Sequence, residues 1–508
     1  MILHDFTVYD IFEKNARLYP EKTAIKDTTT RIDYHTLLGR INGLARGLEA
    51  SGVKKGDRLA VLAMNKIEYL ILYGAAAALG AIAVPLNWRL SDDEITFIIQ
   101  NSNACALFFD NTQRDRTESI ARTAEHPIKL ISFDNVKTGT IIPFQDLIIK
   151  TGAYKSSAAG EDLFCLIYTA AVGGHPRGAA LSHSNIIAGN VQTCIDMKID
   201  CDDVYLNLLP LFHITGINLA FSLMHSGGKN IIMEKFNGAD AAELIEKENI
   251  SILASFPPIL TTLYQEMEKG NYTAPSLRYV TGIDSPENTA KFSEKTKSVF
   301  KILYGQSETS GFVTLGGATS PPGSAGKQCM LSKVSIRNDE DQPCPVDETG
   351  EICVQGPVVF QGYWDQGKLD GSSFKNNWHH TGDNGKMDRN GVLWFKGRKP
   401  EKELIKPGGE NVYPAEVESV IMTHEDVIDT CVIGVPDPRF GEGIKAVCVI
   451  KKGALLKEKE LIEFVGQRIA RYKKPGYVSF VESLPKNDKG DIDRNKVKSM
   501  YTEESASS

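Results

Sequence analysis

Short apolar runs alternate with amphipathic stretches along the first part of the chain. Residues 58–63 form a β-rich run, 68–79 have the pattern of a helix, and 81–86 form a second β-rich run. The same order recurs at 230–233, 239–248 and 252–255. This strand–helix–strand alternation predicts an α/β fold in which a large N-terminal domain contains layered, largely parallel sheets.

The pattern changes between about residues 334 and 395. Strand-like segments at 351–354 and 392–395 are separated there by turn-rich segments such as 339–350. Short strands joined by turns are typical of antiparallel sheets, so we expect a small β subdomain in this region.

A second, smaller domain is predicted after the turn-rich segment 397–400. The stretch that follows is a compact α+β unit, with helices expected at 414–424 and 457–469 and strands at 430–435 and 446–451. We place the boundary near Lys399, which gives an N-terminal domain of residues 1–398 and a C-terminal domain of residues 399–508.

Composition narrows the classes of function. A chain of 508 residues is too long for one compact core, which predicts two or more domains. Its 42% apolar and 24% charged residues are typical of a globular enzyme. The net charge of −7 argues against nucleic acid as the main partner. The longest apolar stretch, 70–86, is interrupted by Gly74, Gly80 and Pro85, so we expect no stable membrane insertion. The N-terminus lacks the pattern of a signal peptide, which favours a cytoplasmic location.

Cysteine and histidine spacing indicates no metal centre. The nine cysteines are scattered without a CxxC pair, and the ten histidines lack the spacing of metal ligands. We therefore expect reduced thiols and neither a zinc site nor a disulfide framework.

A glycine-bearing loop follows the strand-like run that ends at Thr169. Gly173 and Gly174 can direct backbone N–H groups at a phosphate, and Arg177 adds positive charge. The Gly-Lys-Ser/Thr sequence of a Walker loop is absent, so this segment by itself is better explained by a structural turn.

Two further segments contain groups that suit a nucleotide. In residues 304–309, the ring of Tyr304 can stack on a base and the carboxylate of Glu308 can hold Mg²⁺ on phosphates; a polar turn with a solvated glutamate is the alternative. Asp383 follows a tight turn and can accept both hydroxyls of a ribose, with an Asx-type turn as the alternative.

The order and spacing of these segments resemble the adenylate-forming superfamily, which includes acyl-CoA synthetases, luciferases and peptide-synthetase adenylation domains. The resemblance runs from Asp10 to about Arg494. Further matching segments are 181–185, 209–213, 408–418 and 432–437.

The resemblance implies an N-terminal domain that binds ATP and an acid, and a mobile C-terminal domain that rotates between an adenylating and a thioester-forming pose. The implied ligands are ATP or AMP, Mg²⁺, coenzyme A and a carboxylic acid. The residues that the resemblance implies for the nucleotide are Thr169, Gly173, Gly174, Gly282, Ile283, Asp284, Tyr304, Gly305, Gln306, Ser307, Asp383 and Arg398.

The resemblance also implies residues for the reacting groups. Glu308 would hold Mg²⁺, His213 would lie between the acyl pocket and the carboxylate, and Arg177 would face the phosphates. The segment Gly408, Gly409 and Glu410 would line the pantetheine tunnel. Lys473 is a candidate for the phosphates of CoA, with a solvated basic cluster as an equal alternative.

The chain departs from the family pattern at three places. Residues 170–173 replace the Ser-Gly-Thr-Thr core of the phosphate loop, and Arg177 stands where lysine is usual. Asp491 occupies the position of the lysine that reaches the α-phosphate, so Lys489, two residues away on the same face of an extended segment, is the expected substitute. The hinge segment 399–407 is about two residues longer than usual, which leaves the hinge residue open.

Three functions are consistent with these features. The first is an acid–thiol ligase that forms acyl-CoA from a carboxylic acid, ATP and CoA through acyl-AMP. The second is an enzyme of the same fold with impaired adenylation that acts on acyl-AMP and CoA or uses another phosphate donor. The third is a non-catalytic relative that binds an acyl group or a nucleotide. Apolar residues in 212–221 favour an apolar acid, and a homodimer is a further expectation.

Overall fold

The computed structural model describes residues 5–150, 152–169, 176–317, 319–399, 404–486 and 492–502. Its helices are α1 (Val8–Leu18), α2 (Tyr34–Ala50), α3 (Ile67–Leu79), α4 (Asp92–Ser102), α5 (Arg114–Thr123), α6 (His183–Met197), α7 (Ile214–Ser226), α8 (Gly238–Lys247), α9 (Ile259–Lys269), α10 (Pro286–Thr296), α11 (Pro414–Ile421), α12 (Glu458–Gly466) and α13 (Arg494–Tyr501). Its strands are β1 (Thr23–Lys26), β2 (Arg31–Asp33), β3 (Arg58–Leu62), β4 (Ile82–Pro85), β5 (Ala106–Phe109), β6 (Lys129–Ser132), β7 (Ile142–Pro143), β8 (Leu163–Thr169), β9 (Arg177–Ser182), β10 (Val204–Asn207), β11 (Lys229–Ile232), β12 (Ile252–Ser255), β13 (Tyr279–Gly282), β14 (Val299–Gln306), β15 (Gly311–Leu315), β16 (Lys327–Gln328), β17 (Lys333–Arg337), β18 (Gly350–Gln355), β19 (Tyr363–Asp365), β20 (Lys368–Asp370), β21 (Phe374–Lys375), β22 (Trp378–Met387), β23 (Leu393–Arg398), β24 (Val427–Asp437), β25 (Gly441–Ile450) and β26 (Tyr477–Val481).

The predicted strand–helix–strand units are confirmed. The first unit is β3, α3 and β4, and the second is β11, α8 and β12. Every residue of α3 except Glu68 is buried, so the apolar stretch predicted not to insert into a membrane is an internal helix that continues into a buried strand. Among the described residues, no helix combines the length and apolar character needed to cross a bilayer.

Two nine-stranded sheets form the large domain. One has the order β16-β15-β14-β13-β12-β10-β11-β1-β2, and the other has the order β20-β19-β9-β8-β4-β3-β5-β6-β7. The central strands of both sheets pair in parallel, and antiparallel pairs are confined to the edges, such as β14 with β15 and β8 with β9. This confirms the layered, largely parallel α/β architecture.

The main core joins the two sheets through α1, α2, α3 and α7. Phe221 of α7 is fully buried, and its ring centroid lies 5.7 Å from that of Phe164 and 5.8 Å from that of Tyr73, with edge-to-face geometry in both pairs. Aromatic rings packed in this way contribute beyond the apolar area that they bury. They hold α7, and with it the residues at its N-terminus, at a fixed place on the sheets.

The small β subdomain consists of β17, β18, β21, β22 and β23 in antiparallel pairing, as predicted. The pairing of β22 with β23 places Asp383 opposite Arg398. Past this subdomain, β24, β25 and β26 form a three-stranded sheet, with α11 and α12 packed around one apolar core and α13 packed against a second.

Candidate active site

A cavity of about 660 Å³ opens where β12, β13 and β14 end. The carboxyl ends of parallel strands are the usual ligand site of open α/β sheets, because side chains and loops converge there. The cavity wall includes His213 at the start of α7, Tyr304 of β14 and Asp383 of β22. The loop that contains Gly408, Gly409 and Glu410 closes another side. The structure therefore brings residues from distant parts of the chain to one cavity.

Asp383 lies at the centre of a hydrogen-bond network at one end of the cavity. Its Oδ2 accepts hydrogen bonds of 2.8 Å from the hydroxyl of Tyr304 and from Nε2 of Gln306. Its Oδ1 lies 3.0 Å from Nε of Arg398. Burial, reinforced by the Asp383 carboxylate, holds the pKa of Tyr304 well above its ordinary value, so the phenol remains a donor. The carboxylate is thus fixed beside the wall formed by residues 304–307.

The backbone around β13 and β14 is packed too closely for side chains at two glycines. A Cβ atom at Gly282, where φ is 151°, would lie 1.8 Å from the carbonyl oxygen of Ser255. A Cβ atom at Gly305 would lie 2.0 Å from the carbonyl oxygen of Gly311. The two glycines therefore let adjacent strands approach and bring Ile283 and Tyr304 to the cavity.

Asp284 lies elsewhere than the resemblance implies. Its Oδ1 accepts hydrogen bonds of 2.8 Å from the backbone N–H of Ser285 and from Nδ2 of Asn288. Oδ1 is therefore engaged beside the start of α10, whose first turn is capped by the hydroxyl of Ser285. Its neighbour Ile283 lines the cavity, whereas the Asp284 side chain binds Ser285 and Asn288.

Glu308 and Arg177 are connected through Tyr363, a residue that the sequence analysis missed. Glu308 is 8% exposed, and its Oε1 accepts a 2.8 Å hydrogen bond from the hydroxyl of Tyr363. The guanidinium carbon of Arg177 lies 3.7 Å from the centroid of the same ring, and the guanidinium also pairs with Asp370. Nothing in the local sequence around Tyr363 indicated this role, because the contact depends on the pairing of β19 with β9.

His213 and Glu410 meet at another wall of the cavity. Oε1 of Glu410 lies 3.4 Å from Nε2 of His213 and 2.8 Å from Nη1 of Arg89, while Oε2 accepts a 3.1 Å hydrogen bond from Nδ2 of Asn87. Burial alone would raise the pKa of Glu410, but His213 and Arg89 outweigh it and hold that pKa below its ordinary value. Arg89 and Asn87 are not among the residues predicted from the sequence.

Lys473, a candidate for the phosphates of CoA or for a solvated basic cluster, is buried in this structure. Its side chain is 1% exposed, and its ammonium group forms ion pairs with Glu94 and Glu416. A lysine enclosed by two carboxylates does not present its charge to the phosphates of a ligand, so in this structure Lys473 has a role inside the protein.

Three predicted residues lie outside the described part of the chain, namely Gly173, Gly174 and Lys489. Thr169 is the last residue of β8 and the last described residue before Gly173 and Gly174. Its hydroxyl is 3.5 Å from the carbonyl oxygen of Arg177.

Sheet pairing assembles a group of potential metal ligands that no sequence spacing indicated. Ligand atoms of Glu351, Cys353 and His380 lie within 4.8 Å of one another. Glu351 already lies 2.9 Å from Nδ1 of His380 and 3.0 Å from Nζ of Lys399, and it accepts a hydrogen bond from the backbone of Gly382. His380, Lys399 and the backbone N–H of Gly382 therefore already compensate the negative charge of the buried Glu351 carboxylate.

Comparison with known proteins assigns the chain to a family. Residues 12–364 match the sequence model of the AMP-binding enzyme family, and residues 416–490 match the model of the AMP-binding enzyme C-terminal domain. An indoleacetate–CoA ligase from Aromatoleum aromaticum is 32% identical over 498 residues, which cover 96% of this chain and 97% of the relative. A long-chain-fatty-acid–CoA ligase from Mycobacterium tuberculosis is 31% identical over 488 residues, which cover 94% of both chains.

Solved structures of one relative differ in their similarity to this chain. The o-succinylbenzoate CoA synthetase from Bacillus subtilis is 27% identical. A double mutant of it, bound with the product analogue OSB-NCoA, matches with a TM-score of 0.84 over 97% of this chain and 99% of its own. The complex with AMP matches with a TM-score of 0.69 over 97% and 98%. The sequence matches and the structural matches both span nearly the whole chain, and the protein belongs to the adenylate-forming superfamily of AMP-binding enzymes.

Proposed function

We propose that this protein is an AMP-forming acid–thiol ligase that converts a carboxylic acid, ATP and CoA into acyl-CoA, AMP and pyrophosphate. One observation carries the proposal: a single cavity has the Tyr304–Asp383 pair on one wall and His213 with the Gly408–Glu410 loop on another. The first pair suits the nucleoside of an adenylate. The second group lies where a thiol can approach a carbonyl held beside His213.

The first half-reaction joins the acid to the nucleotide. A carboxylate oxygen attacks the α-phosphorus of ATP, the bond to the β-phosphate oxygen breaks, and pyrophosphate leaves with its electron pair. In this proposal Tyr304 contacts the adenine and Asp383, held by Arg398, accepts the ribose hydroxyls. Fixing the nucleotide in this way removes much of the entropic barrier to the attack.

Magnesium is the proposed cofactor of this step, and Glu308 would hold it. Oε1 of Glu308 accepts from Tyr363, whereas Oε2 makes no hydrogen bond within the described segments. A buried carboxylate with one oxygen available suits a hard cation, which would offset the repulsion between the phosphates and the attacking carboxylate.

The second half-reaction forms the thioester. The sulfur of CoA attacks the acyl carbonyl carbon, the bond to the AMP oxygen breaks, and the thiol proton is released to solvent. His213 lies beside the reacting carbonyl in this proposal, and Glu410 orients it while Gly408 and Gly409 leave room for the pantetheine arm. The higher TM-score to a complex with a CoA product analogue than to a complex with AMP supports the assignment of this domain arrangement to the thioester step.

The acid is proposed to be apolar. The side chains that support this are Leu208, Leu209, Ile214, Phe236, Phe256 and Phe312, all on the cavity wall. Apolar lining favours an acid with an aliphatic or aromatic body because its burial releases water from both surfaces. Relatives named for indoleacetate and for long-chain fatty acids share this character, so both kinds of acid belong in a substrate screen.

A second candidate function is thioester formation from acyl-AMP with impaired adenylation. It is supported by Asp491 in place of the usual lysine and by the loss of hydroxyl groups at 170–172. Removal of one transition-state-stabilising group commonly costs about 10²–10³ in rate, so these changes affect the ATP-dependent step most. The domain boundary near Lys399, the homodimer and the cytoplasmic location stay predictions.

AMP release distinguishes the two functions. It is measured after the enzyme is mixed with Mg-ATP, CoA and one acid from a panel of straight-chain fatty acids and indoleacetic, ferulic and 2-succinylbenzoic acids. The variants are Lys489→Ala and Glu308→Gln, with the exposed Lys486→Ala as the matched control. AMP and thioester formation that fails in both variants and persists in the control supports the ligase and the role of Lys489. No AMP with any acid, together with thioester formation from supplied acyl-AMP, would favour the second function.

A further inference from the structure

Lys473 joins two carboxylates that belong to different domains. Glu94 lies within the segment that matches the AMP-binding family model, whereas Lys473 and Glu416 lie within the segment that matches the C-terminal model. The ammonium group lies 2.5 Å from Oε1 of Glu416 and also contacts Oε1 of Glu94. One arm of this ion triad is therefore internal to the C-terminal domain, and the other arm crosses between domains.

Glu94 is held rigidly for this contact. It is the third residue of α4, and its Oε2 accepts hydrogen bonds of 2.7 and 2.8 Å from the backbone N–H and the hydroxyl of Ser91. This capping box leaves Oε1 for Lys473. The carboxylate is thus a fixed acceptor on the large domain, and its side chain is 12% exposed.

The buried charges favour the arrangement in which the two domains are in contact. A lysine removed from water is costly unless it is paired, and here two carboxylates pair with it. The pKa of Glu416 is raised, mainly by burial, whereas Lys473 outweighs burial and lowers the pKa of Glu94. If the domains separated, Lys473 would keep Glu416, and Glu94 would return to water at the end of its helix. Separation would therefore break the Glu94 arm of the triad without leaving Lys473 unpaired inside the C-terminal domain.

The triad is connected to the cavity on both sides. Tyr472, next to Lys473, lines the cavity. Arg89, two residues before the capping Ser91, forms the 2.8 Å ion pair with Glu410. The short segment from Arg89 to Glu94 therefore forms ion pairs with both Glu410 and Lys473 of the C-terminal domain.

We propose that the Glu94–Lys473 ion pair is a domain latch that holds the C-terminal domain in the thioester-forming arrangement. The inference rests on the proposed two-step ligase function. In the latched state Gly408, Gly409 and Glu410 stay at the cavity, and release of the pair permits the arrangement that adenylation requires. Lys473 and Glu94 are positioning residues, because they act through the Gly408–Glu410 loop and touch no reacting atom.

Glu94→Gln tests the latch with little risk to folding. The amide oxygen of glutamine can still accept from Ser91, so α4 keeps its cap, and Lys473 keeps Glu416. We expect thioester formation from supplied decanoyl-AMP or indole-3-acetyl-AMP and CoA to fall about tenfold or more, because the latched population decreases. Affinity for AMP and the denaturant midpoint should match those of the wild type.

Glu287→Gln is the matched control. Glu287 is also a first-turn helix glutamate paired with a lysine, 2.7 Å from Lys291, but it is exposed and both residues lie in α10. Lys473→Arg should retain more thioester activity than Lys473→Met, since arginine can still pair with both carboxylates. Hydrogen exchange of the amides in 404–413 should be faster in Glu94→Gln than in the wild type and unchanged in Glu287→Gln.

Each outcome decides the inference. The latch is overturned if Glu94→Gln behaves like Glu287→Gln in both thioester formation and hydrogen exchange. It is also overturned if Glu94→Gln loses AMP affinity and thioester rate to the same extent. If the wild type forms no thioester from either adenylate, the proposed function is contradicted for these acids. The exchange measurement then decides by itself whether Glu94 holds the 404–413 segment closed.

Discussion

Oε1 of Glu410 lies 3.4 Å from Nε2 of His213, although 197 positions separate the two residues along the chain. The contact joins the start of α7 in the large domain to the glycine loop that precedes α11. It connects the wall proposed for the reacting carboxylate with the loop proposed for the pantetheine arm. This relationship supports our proposal that the structure is arranged for the thioester-forming step.

Glu410→Gln should impair the thioester step selectively. The substitution keeps the shape of the side chain but removes the charge that pairs with Arg89 and attracts His213. We expect single-turnover thioester formation from supplied acyl-AMP to slow by about tenfold or more, because a charged hydrogen bond is lost from a buried site. AMP affinity should stay at the wild-type value. Equal loss of both quantities would contradict the role assigned to Glu410.

Asp383→Asn should weaken nucleotide binding. Asp383 accepts hydrogen bonds from Tyr304 and Gln306 and faces the guanidinium of Arg398, so the neutral amide leaves a buried positive charge without its partner. We expect the dissociation constant for AMP, measured by titration calorimetry, to rise at least about tenfold. Asp202→Asn is the control, since that side chain is 93% exposed, and its AMP affinity should not change.

Acid should destabilise the protein through His183. The ring is fully buried, its Nδ1 accepts a 3.2 Å hydrogen bond from the backbone N–H of Val8, and burial lowers its pKa to about 4. Nearby Asp162 and Asp5 oppose this shift without reversing it. The fold therefore favours the neutral ring, and this contribution to stability is complete above the unfolded pKa of 6.5 and is lost as pH falls towards about 4.

The size of this effect follows from the difference between the two pKa values. A shift of this size corresponds to roughly 3 kcal/mol of unfolding free energy between neutral pH and about pH 4. His183→Gln should flatten the pH dependence of the denaturant midpoint in this range by a corresponding amount. An unchanged pH dependence in the variant would show that other groups, such as the similarly shifted His225, account for the acid lability.

Phe221→Ala should destabilise the large domain. The side chain is fully buried, and its ring contacts Phe12, Tyr73 and Phe164, so truncation leaves a cavity in the core between the sheets. We expect a loss of about 3–5 kcal/mol in the free energy of unfolding, measured by denaturant titration. Leu455→Ala is the control: that side chain is 90% exposed, and its effect should stay within about 0.5 kcal/mol.

Local sequence patterns predicted the regular elements because their causes are local. The alternation across residues 58–86 produced β3, α3 and β4, since apolar periodicity determines which faces can be buried. The antiparallel subdomain was predicted for the same reason, because turn-forming residues separate short strands there. The motif around Tyr304 also lies on the cavity, as its place at the end of a strand would suggest.

Contacts between distant segments could not be predicted in this way. Tyr363 reaches Glu308 only because β19 pairs with β9, and Glu351 meets His380 only because β18 pairs with β22. The resemblance made Lys473 a candidate for the phosphates of CoA, with a solvated basic cluster as the equal alternative, but the docking of the C-terminal domain buries it between two carboxylates.

The sequence by itself determined the superfamily, the α/β architecture and the order of the segments that form the cavity, because periodicity and motif order are properties of the chain. The tertiary structure decided which charged groups are paired and which face the cavity. Asp284 binds Ser285 and Asn288 beside the start of α10 and Lys473 joins two domains, whereas Oε1 of Glu410 lies 3.4 Å from Nε2 of His213. The physical reason is that burial and ion pairing depend on which surfaces meet after folding, and the spacing of residues along the chain does not contain that information.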